Sequence, residues 1–130
     1  VNFLIVLGIS IVVVALFYGG NEAILQIMRK RSAKWIEQKE FAETMRTAQV
    51  VDVREKNVFD AGHIMGARNF PYSMIKTSLA SLRKDKPVYL YDQKKLLSIR
   101  VANRLRKEGY HDIYILKGGY EDWNGKIKKK

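Results

Sequence analysis

The chain has 130 residues, 24 Lys or Arg against 13 Asp or Glu, a formal charge of +11, and no cysteine. That length allows one domain plus an appendage. The missing thiol excludes disulfides, thiolate catalysis and cysteine–zinc sites within this sequence, while the charge favours anionic partners: lipid headgroups, nucleic acid or an acidic protein surface. The charge is uneven, with fifteen basic and six acidic residues from Lys76 to Lys130.

The first stretch, VNFLIVLGISIVVVALFYGG at residues 1–20, carries no charged side chain. Twenty helical residues rising ~1.5 Å each cover roughly 30 Å, the thickness of a hydrocarbon core. Residues 1–20 are therefore predicted as a transmembrane helix, with Phe17 and Tyr18 at headgroup level. A cleaved signal peptide would carry a basic n-region and an A-x-A-like site, and neither is present. A buried soluble helix rarely runs so far without a charge.

Residues 21–34 form a basic juxtamembrane segment. Ile24, Ile27, Met28 and Trp35 fall roughly on one helical face, with Arg29, Lys30 and Lys34 largely off it. The segment either lies along anionic headgroups or simply continues the membrane helix. Arg29, Lys30, Arg31 and Lys34 follow the apolar run and no basic residue precedes it. By the positive-inside rule this predicts a single pass through a plasma membrane, amino terminus outside and the remainder in the cytoplasm.

Periodicity then predicts a short helix near Gln38–Thr47, with Phe41, Ala42 and Met45 on one face, and a buried strand over Gln49–Val53. KNVFDAGHI reads as a helical turn closed by Gly62, and GARNFPYSM as a brief extended piece ending at Pro71. TSLASLRKDK gives a helix with Leu79 and Leu82 inward and Thr77 or Ser78 as its cap. A strand over Val88–Tyr91, a helix over Leu97–Gly109 and a strand over Asp112–Leu116 follow. A Gly-Gly turn and a short helix holding Trp123 end the fold, leaving GKIKKK as a solvated tail. Strands alternating with helices at this spacing predict an α/β fold with a parallel sheet covered on both faces.

Four motifs occur in one order: VVDVRE at 50–55, F-D-A-G-H-I-x-G-A-x-N-x-P from Phe59 to Pro71, PVYLY at 87–91, and GYHDIYILKGGYEDW at 109–123. Together, from near Trp35 to Trp123, they resemble a single rhodanese-like domain, placed at residues 35–124 with a basic tail at 125–130. The resemblance implies a five-stranded, mostly parallel sheet flanked by helices, here preceded by one transmembrane helix. It also implies that the loop after Val88–Tyr91 is the reactive one. In catalytic relatives that loop reads Cys-x-x-Gly-x-Arg-Ser. Its backbone N–H groups gather an anion at a helix amino terminus, and its cysteine carries a persulfide or, in related phosphatases, attacks phosphorus.

Laid on this sequence, the cysteine position is Asp92, the glycine position Lys95 and the arginine position Leu97; Ser98 alone matches. A carboxylate forms no persulfide and repels thiosulfate or phosphate. Lysine does not readily take the positive-φ conformations that glycine supplies, and leucine donates no hydrogen bond. The loop is therefore expected not to form an anion cradle. Asp92 is expected to pair with Lys94, Lys95 or Arg100, or to cap the next helix. The resemblance gives Asp52 and Arg54 the task of organising the loops beside the pocket. His63 reads as a hydrogen-bonding turn residue rather than a metal ligand, and Trp123 as core.

On the helix after the loop, Leu97, Val101, Ala102 and Leu105 make a buried stripe. Arg100, Arg104 and Lys107 make a second stripe, which with Lys94 and Lys95 forms either one basic binding patch or an ordinary solvated face. The sequence thus predicts a membrane-anchored rhodanese-like module, catalytically inactive and without a cofactor or metal. Its predicted partners are the bilayer, integral membrane proteins or an acidic protein surface. Two other readings stay open: an enzyme, sulfurtransferase- or phosphatase-related, working by non-cysteine chemistry at Asp92 or Lys95, and a nucleic-acid-binding module. The last lacks a legible aromatic stacking platform among its lysines.

Overall fold

The computed structural model of the chain describes residues 2–129, and residues 20–32 by their backbone alone. The chain divides into two compact units, residues 1–31 and 32–130. The first is one unbroken helix, α1 (Asn2–Ser32). Its stretch Asn2–Gly19 is long and apolar enough to cross a membrane, and none of that stretch is buried in protein. The side chains of Arg29, Lys30 and Arg31 lie outside the described residues. Lys34 and Trp35, expected on a helical segment, instead open a strand, β1 (Lys34–Ile36).

The second unit continues as α2 (Gln38–Thr44), β2 (Gln49–Asp52), α3 (Lys56–Ala61), β3 (His63–Ile64), β4 (Arg68–Asn69) and α4 (Ile75–Ser78). It ends with β5 (Val88–Tyr91), α5 (Leu96–Lys107), β6 (Ile113–Leu116) and β7 (Ile127–Lys128). Among the described residues β1, β6, β5, β2 and β4 form one sheet in that order, and each neighbouring pair is parallel.

Sheets covered on both faces have near-continuous apolar strands, and strand periodicity sorts their side chains. Val51, Val53, Val88, Leu90, Ile113 and Ile115 point into one core, with Val101, Ala102 and Leu105 of α5 and with Ile75, Leu79 and Leu82. Val50, Tyr89, Tyr91 and Leu116 point to the other, with Ile36 and Phe41. Each fully buried side chain of this kind is worth about 1.5–3 kcal/mol.

Three local expectations need correction. The TSLASLRKDK helix starts earlier, at Ile75, and becomes a 3-10 turn over Leu79–Ser81. The Thr77 and Ser78 hydroxyls donate back to the Met74 carbonyl, both at 3.0 Å, rather than capping. The Gly-Gly turn leads into a 3-10 turn, Tyr120–Asp122, with Trp123 just beyond it. The carboxyl-terminal tail is not wholly loose, because β7 pairs antiparallel with β3.

Parallel order brings the carboxyl ends of β2, β5 and β6 to one edge of the sheet. The segments Asp52–Arg54, Asp92–Lys95 and Lys117–Gly119 therefore meet there, which is where open α/β sheets place their ligands.

Candidate functional site

The site is built on two carboxylates. Asp52 is completely buried, and Arg54 is nearly so. Asp52 Oδ1 accepts the Arg54 backbone N–H at 2.9 Å and Nε at 3.0 Å, while Oδ2 accepts Nη2 at 2.7 Å. This bidentate geometry is the strong form of the pair. Arg54 reaches further: Nη2 donates to the Gly62 carbonyl at 2.7 Å and Nη1 to Gln93 Oε1 at 3.3 Å. Its guanidinium also lies 4.2 Å from the centre of the Tyr120 ring. Burial works against the Arg54 charge, but the hydrogen bond to Asp52 and that carboxylate's field outweigh it and hold the guanidinium's pKa above its ordinary value. Asn69 Nδ2 donates to the carbonyls of Asp52 and Arg54 at 3.2 and 2.8 Å, fixing the same turn. Asp52 and Arg54 thus organise the loops, as expected.

Beside them, the Tyr91 hydroxyl accepts the Ile64 N–H at 3.0 Å. Burial first, and the Asp52 carboxylate second, push the Tyr91 phenol far above its ordinary range. His63 opens β3 rather than sitting in the expected turn, its Nδ1 2.8 Å from the Phe59 carbonyl and its ring stacked on Phe59 at 3.6 Å. Among the described residues no cluster of three or more His, Asp or Glu side chains is placed to hold a metal ion.

The loop after β5 has a different construction. The Asp92 side chain turns inward and is 5% exposed. Its Oδ1 accepts the Ser98 hydroxyl at 2.6 Å and its Oδ2 the Leu97 N–H at 3.1 Å. Of the expected alternatives the cap is the one found: Asp92 caps α5 from upstream and makes no ion pair with Lys94, Lys95 or Arg100. Two donors converge in this loop, on the chain's own carboxylate. Lys95 sits at φ −162°, outside the positive-φ region that glycine opens.

The loop is pinned from above by the turn after β6. Tyr120 N–H donates to the Asp92 carbonyl at 2.9 Å and Glu121 N–H to the Gln93 carbonyl at 3.1 Å. Gly119, at φ +63°, makes this approach possible, because a Cβ there would fall 2.5–2.8 Å from the carbonyl oxygens of Asp92, Gln93 and Lys94. Gln93, Asn69 and Tyr120 were not singled out from the sequence. Tyr120 and Asn69 stand inside the quoted motifs, but nothing in their spacing shows what they touch.

The predicted basic residues have different surroundings. Lys94 and Lys95 line a pocket of about 490 Å³ with Trp35 and Lys117. Arg100 and Lys107 are exposed on α5, and Arg104 sits 3.5 Å from Glu108. Lys34 lies in β1, its Nζ 5.7 Å from the centre of the Tyr114 ring.

A family model described as a rhodanese-like domain matches residues 35–126. The chain belongs to the rhodanese-like domain family. The YqhL protein of Bacillus subtilis (strain 168) is 49% identical over 104 residues, 80% of this chain and 82% of that protein. The thiosulfate sulfurtransferase GlpE of Shewanella oneidensis is 30% identical over 79 residues, 61% of this chain and 78% of that enzyme. A crystal structure of a rhodanese-like domain protein from Staphylococcus aureus superposes with a TM-score of 0.67 at 26% identity, covering 75% of this chain and 98% of that one. This rhodanese-like chain, similar to a sulfurtransferase, has a sequence without cysteine and an apolar amino-terminal helix.

Proposed function

We propose that the chain is a membrane-anchored rhodanese-like module that binds or scaffolds partners at the cytoplasmic face of a plasma membrane, with no sulfurtransferase chemistry of its own. One observation carries the reading: the Asp92 carboxylate consumes the Leu97 N–H and the Ser98 hydroxyl. In this reading Asp92 stands where catalytic relatives carry their nucleophilic cysteine. A carboxylate there offers no sulfur to carry a sulfane atom, and its charge opposes thiosulfate or phosphate. These two donors of the first turn of α5 are already satisfied, so an incoming anion would have to displace a buried carboxylate to reach them.

The anchor is the Asn2–Gly19 stretch, and the basic residues Arg29, Lys30, Arg31 and Lys34 support the orientation. Partners are the bilayer and, through the pocket beside the loop, an integral membrane protein or another acidic protein surface.

The purified full chain in lipid nanodiscs, given thiosulfate and cyanide, should produce thiocyanate at the uncatalysed rate. Asp92→Cys should add little, because Lys95 and Leu97 still withhold a glycine turn and a cationic donor. Rapid transfer by the unaltered chain, or a persulfide or phosphoenzyme detected by intact mass, would refute the reading.

A further inference from the structure

The pocket beside the reactive-loop position has features that the loop's loss of cysteine does not explain. It is lined by Lys94 and Lys95 of the loop after β5, by Lys117, Gly118, Glu121 and Asp122 of the turn after β6, and by Trp35. The loop and the turn are fixed to each other by the Tyr120 and Glu121 backbone bonds to the loop carbonyls. Gln38 holds the turn as well, donating to the Asp122 carbonyl and accepting the Asn124 N–H at 3.1 Å. A concavity braced at three points is already organised, so an occupant loses little to ordering it.

Its charges are mixed in a specific way. Lys117 is committed to Glu37 at 3.1 Å. Lys94 and Lys95 are exposed and make no ion pair among the described residues, while Glu121 and Asp122 line the same pocket. Trp35 is 51% exposed, an apolar surface left open beside the two free ammonium groups. Trp35 also belongs to β1, the sheet's edge strand. Ile36 accepts the Lys117 N–H and so faces β6, and strand alternation turns the Trp35 N–H and C=O the other way, outward. The edge therefore offers one donor–acceptor pair to an extended chain.

We propose that this pocket docks an extended acidic–apolar peptide segment of a partner protein, its carboxylates on Lys94 and Lys95, an apolar side chain on Trp35, and its backbone on the β1 edge. This deepens the binding-module reading and rests on it. Charge pattern decides between a peptide and a lipid surface. A bilayer presents anionic charge across a broad area and would set phosphates against Glu121 and Asp122. A peptide can place carboxylates on the two lysines alone and backbone N–H groups toward Glu121 and Asp122.

The test uses the full chain in phosphatidylcholine nanodiscs and a fluorescein-labelled peptide of glutamates alternating with leucine and phenylalanine. A counterpart peptide carries glutamine for glutamate. The acidic peptide should bind with strong salt dependence. Lys94→Glu combined with Lys95→Glu should weaken it about tenfold or more, since two attractions become repulsions. Trp35→Ala should weaken it several-fold. Arg83→Glu, in the loop before β5, should leave it unchanged. Equal binding by the doubly reversed variant and the unaltered chain overturns the proposal. So does capture by phosphatidylglycerol vesicles without peptide binding. Thiocyanate production measured on the same samples separates the two levels: peptide binding lost with no sulfur transfer removes this pocket only, whereas sulfur transfer removes the binding-module reading itself.

Discussion

Asp52 closes β2, and Asp92 follows β5, the strand paired with it. Both carboxylates are buried, and each is neutralised by a different means. Asp52 is answered by a full opposite charge two residues along the chain, held bidentate by Arg54. Asp92 is answered by dipoles: an N–H and a hydroxyl in the first turn of α5, where the helix carries roughly half a positive charge. The first arrangement ties distant segments together, since the same guanidinium also touches Gly62, Gln93 and Tyr120. The second closes one loop on itself. The Asp52 turn therefore braces several segments of the fold, whereas the Asp92 carboxylate serves its own loop.

Breaking the first region should have the largest effect. Arg54→Ala leaves Asp52 buried without its partner and frees the Gly62 carbonyl. The expected loss is about 3–5 kcal/mol, the usual result of orphaning one member of a buried pair, and it would show as a large fall in the urea midpoint. Arg54→Lys should recover only part, because an ammonium cannot make the bidentate contact. A loss below about 1 kcal/mol would mean that Asp52 does not depend on this guanidinium.

The next effect comes from Tyr91 in the same region. Its folded pKa is raised above the ordinary 10.0, by burial and then by Asp52. A raised pKa in the folded state means that the folded chain holds the proton more tightly than the unfolded one. The resulting stability is complete below pH ~10 and is lost as pH rises beyond it. Urea titrations from neutral to strongly alkaline pH should show that decline, and Tyr91→Phe should flatten it. An equally steep decline in Tyr91→Phe would assign it to other groups.

The two regions also differ in how far the sequence reveals them. Asp-Val-Arg at 52–54 is legible because both partners lie within three residues at the end of an apolar run. The sheet strands Gln49–Asp52, Val88–Tyr91 and Ile113–Leu116 are legible for the same reason, as continuous apolar runs buried on both faces. β1 is three residues inside a basic stretch and becomes a strand only by pairing with β6. β7 likewise depends on β3, more than sixty residues away, and reads locally as a lysine tail. At Asp92 the sequence leaves several partners open, three cations and a helix cap. Only the fold shows the carboxylate turned inward, away from those cations. The clamp through Gly119 is hidden for a related reason: the carbonyls it admits belong to a loop more than twenty residues upstream.

The smallest expected effects test the second region on its own terms. Asp92→Ala removes the acceptor for two donors and leaves the Ser98 hydroxyl buried without its partner, for an expected loss of about 1–3 kcal/mol. Ser98→Ala removes one donor and should cost about 1 kcal/mol. If the carboxylate is held by these dipoles, the two losses should not add. The double variant should be less damaged than the sum by roughly 0.5–1 kcal/mol, the coupling expected of groups sharing one hydrogen-bond network. Additive losses would mean that Ser98 contributes by packing alone. A stabilised Asp92→Ala would mean that the buried carboxylate is strained here, and the likeness between the two aspartates would end at their burial.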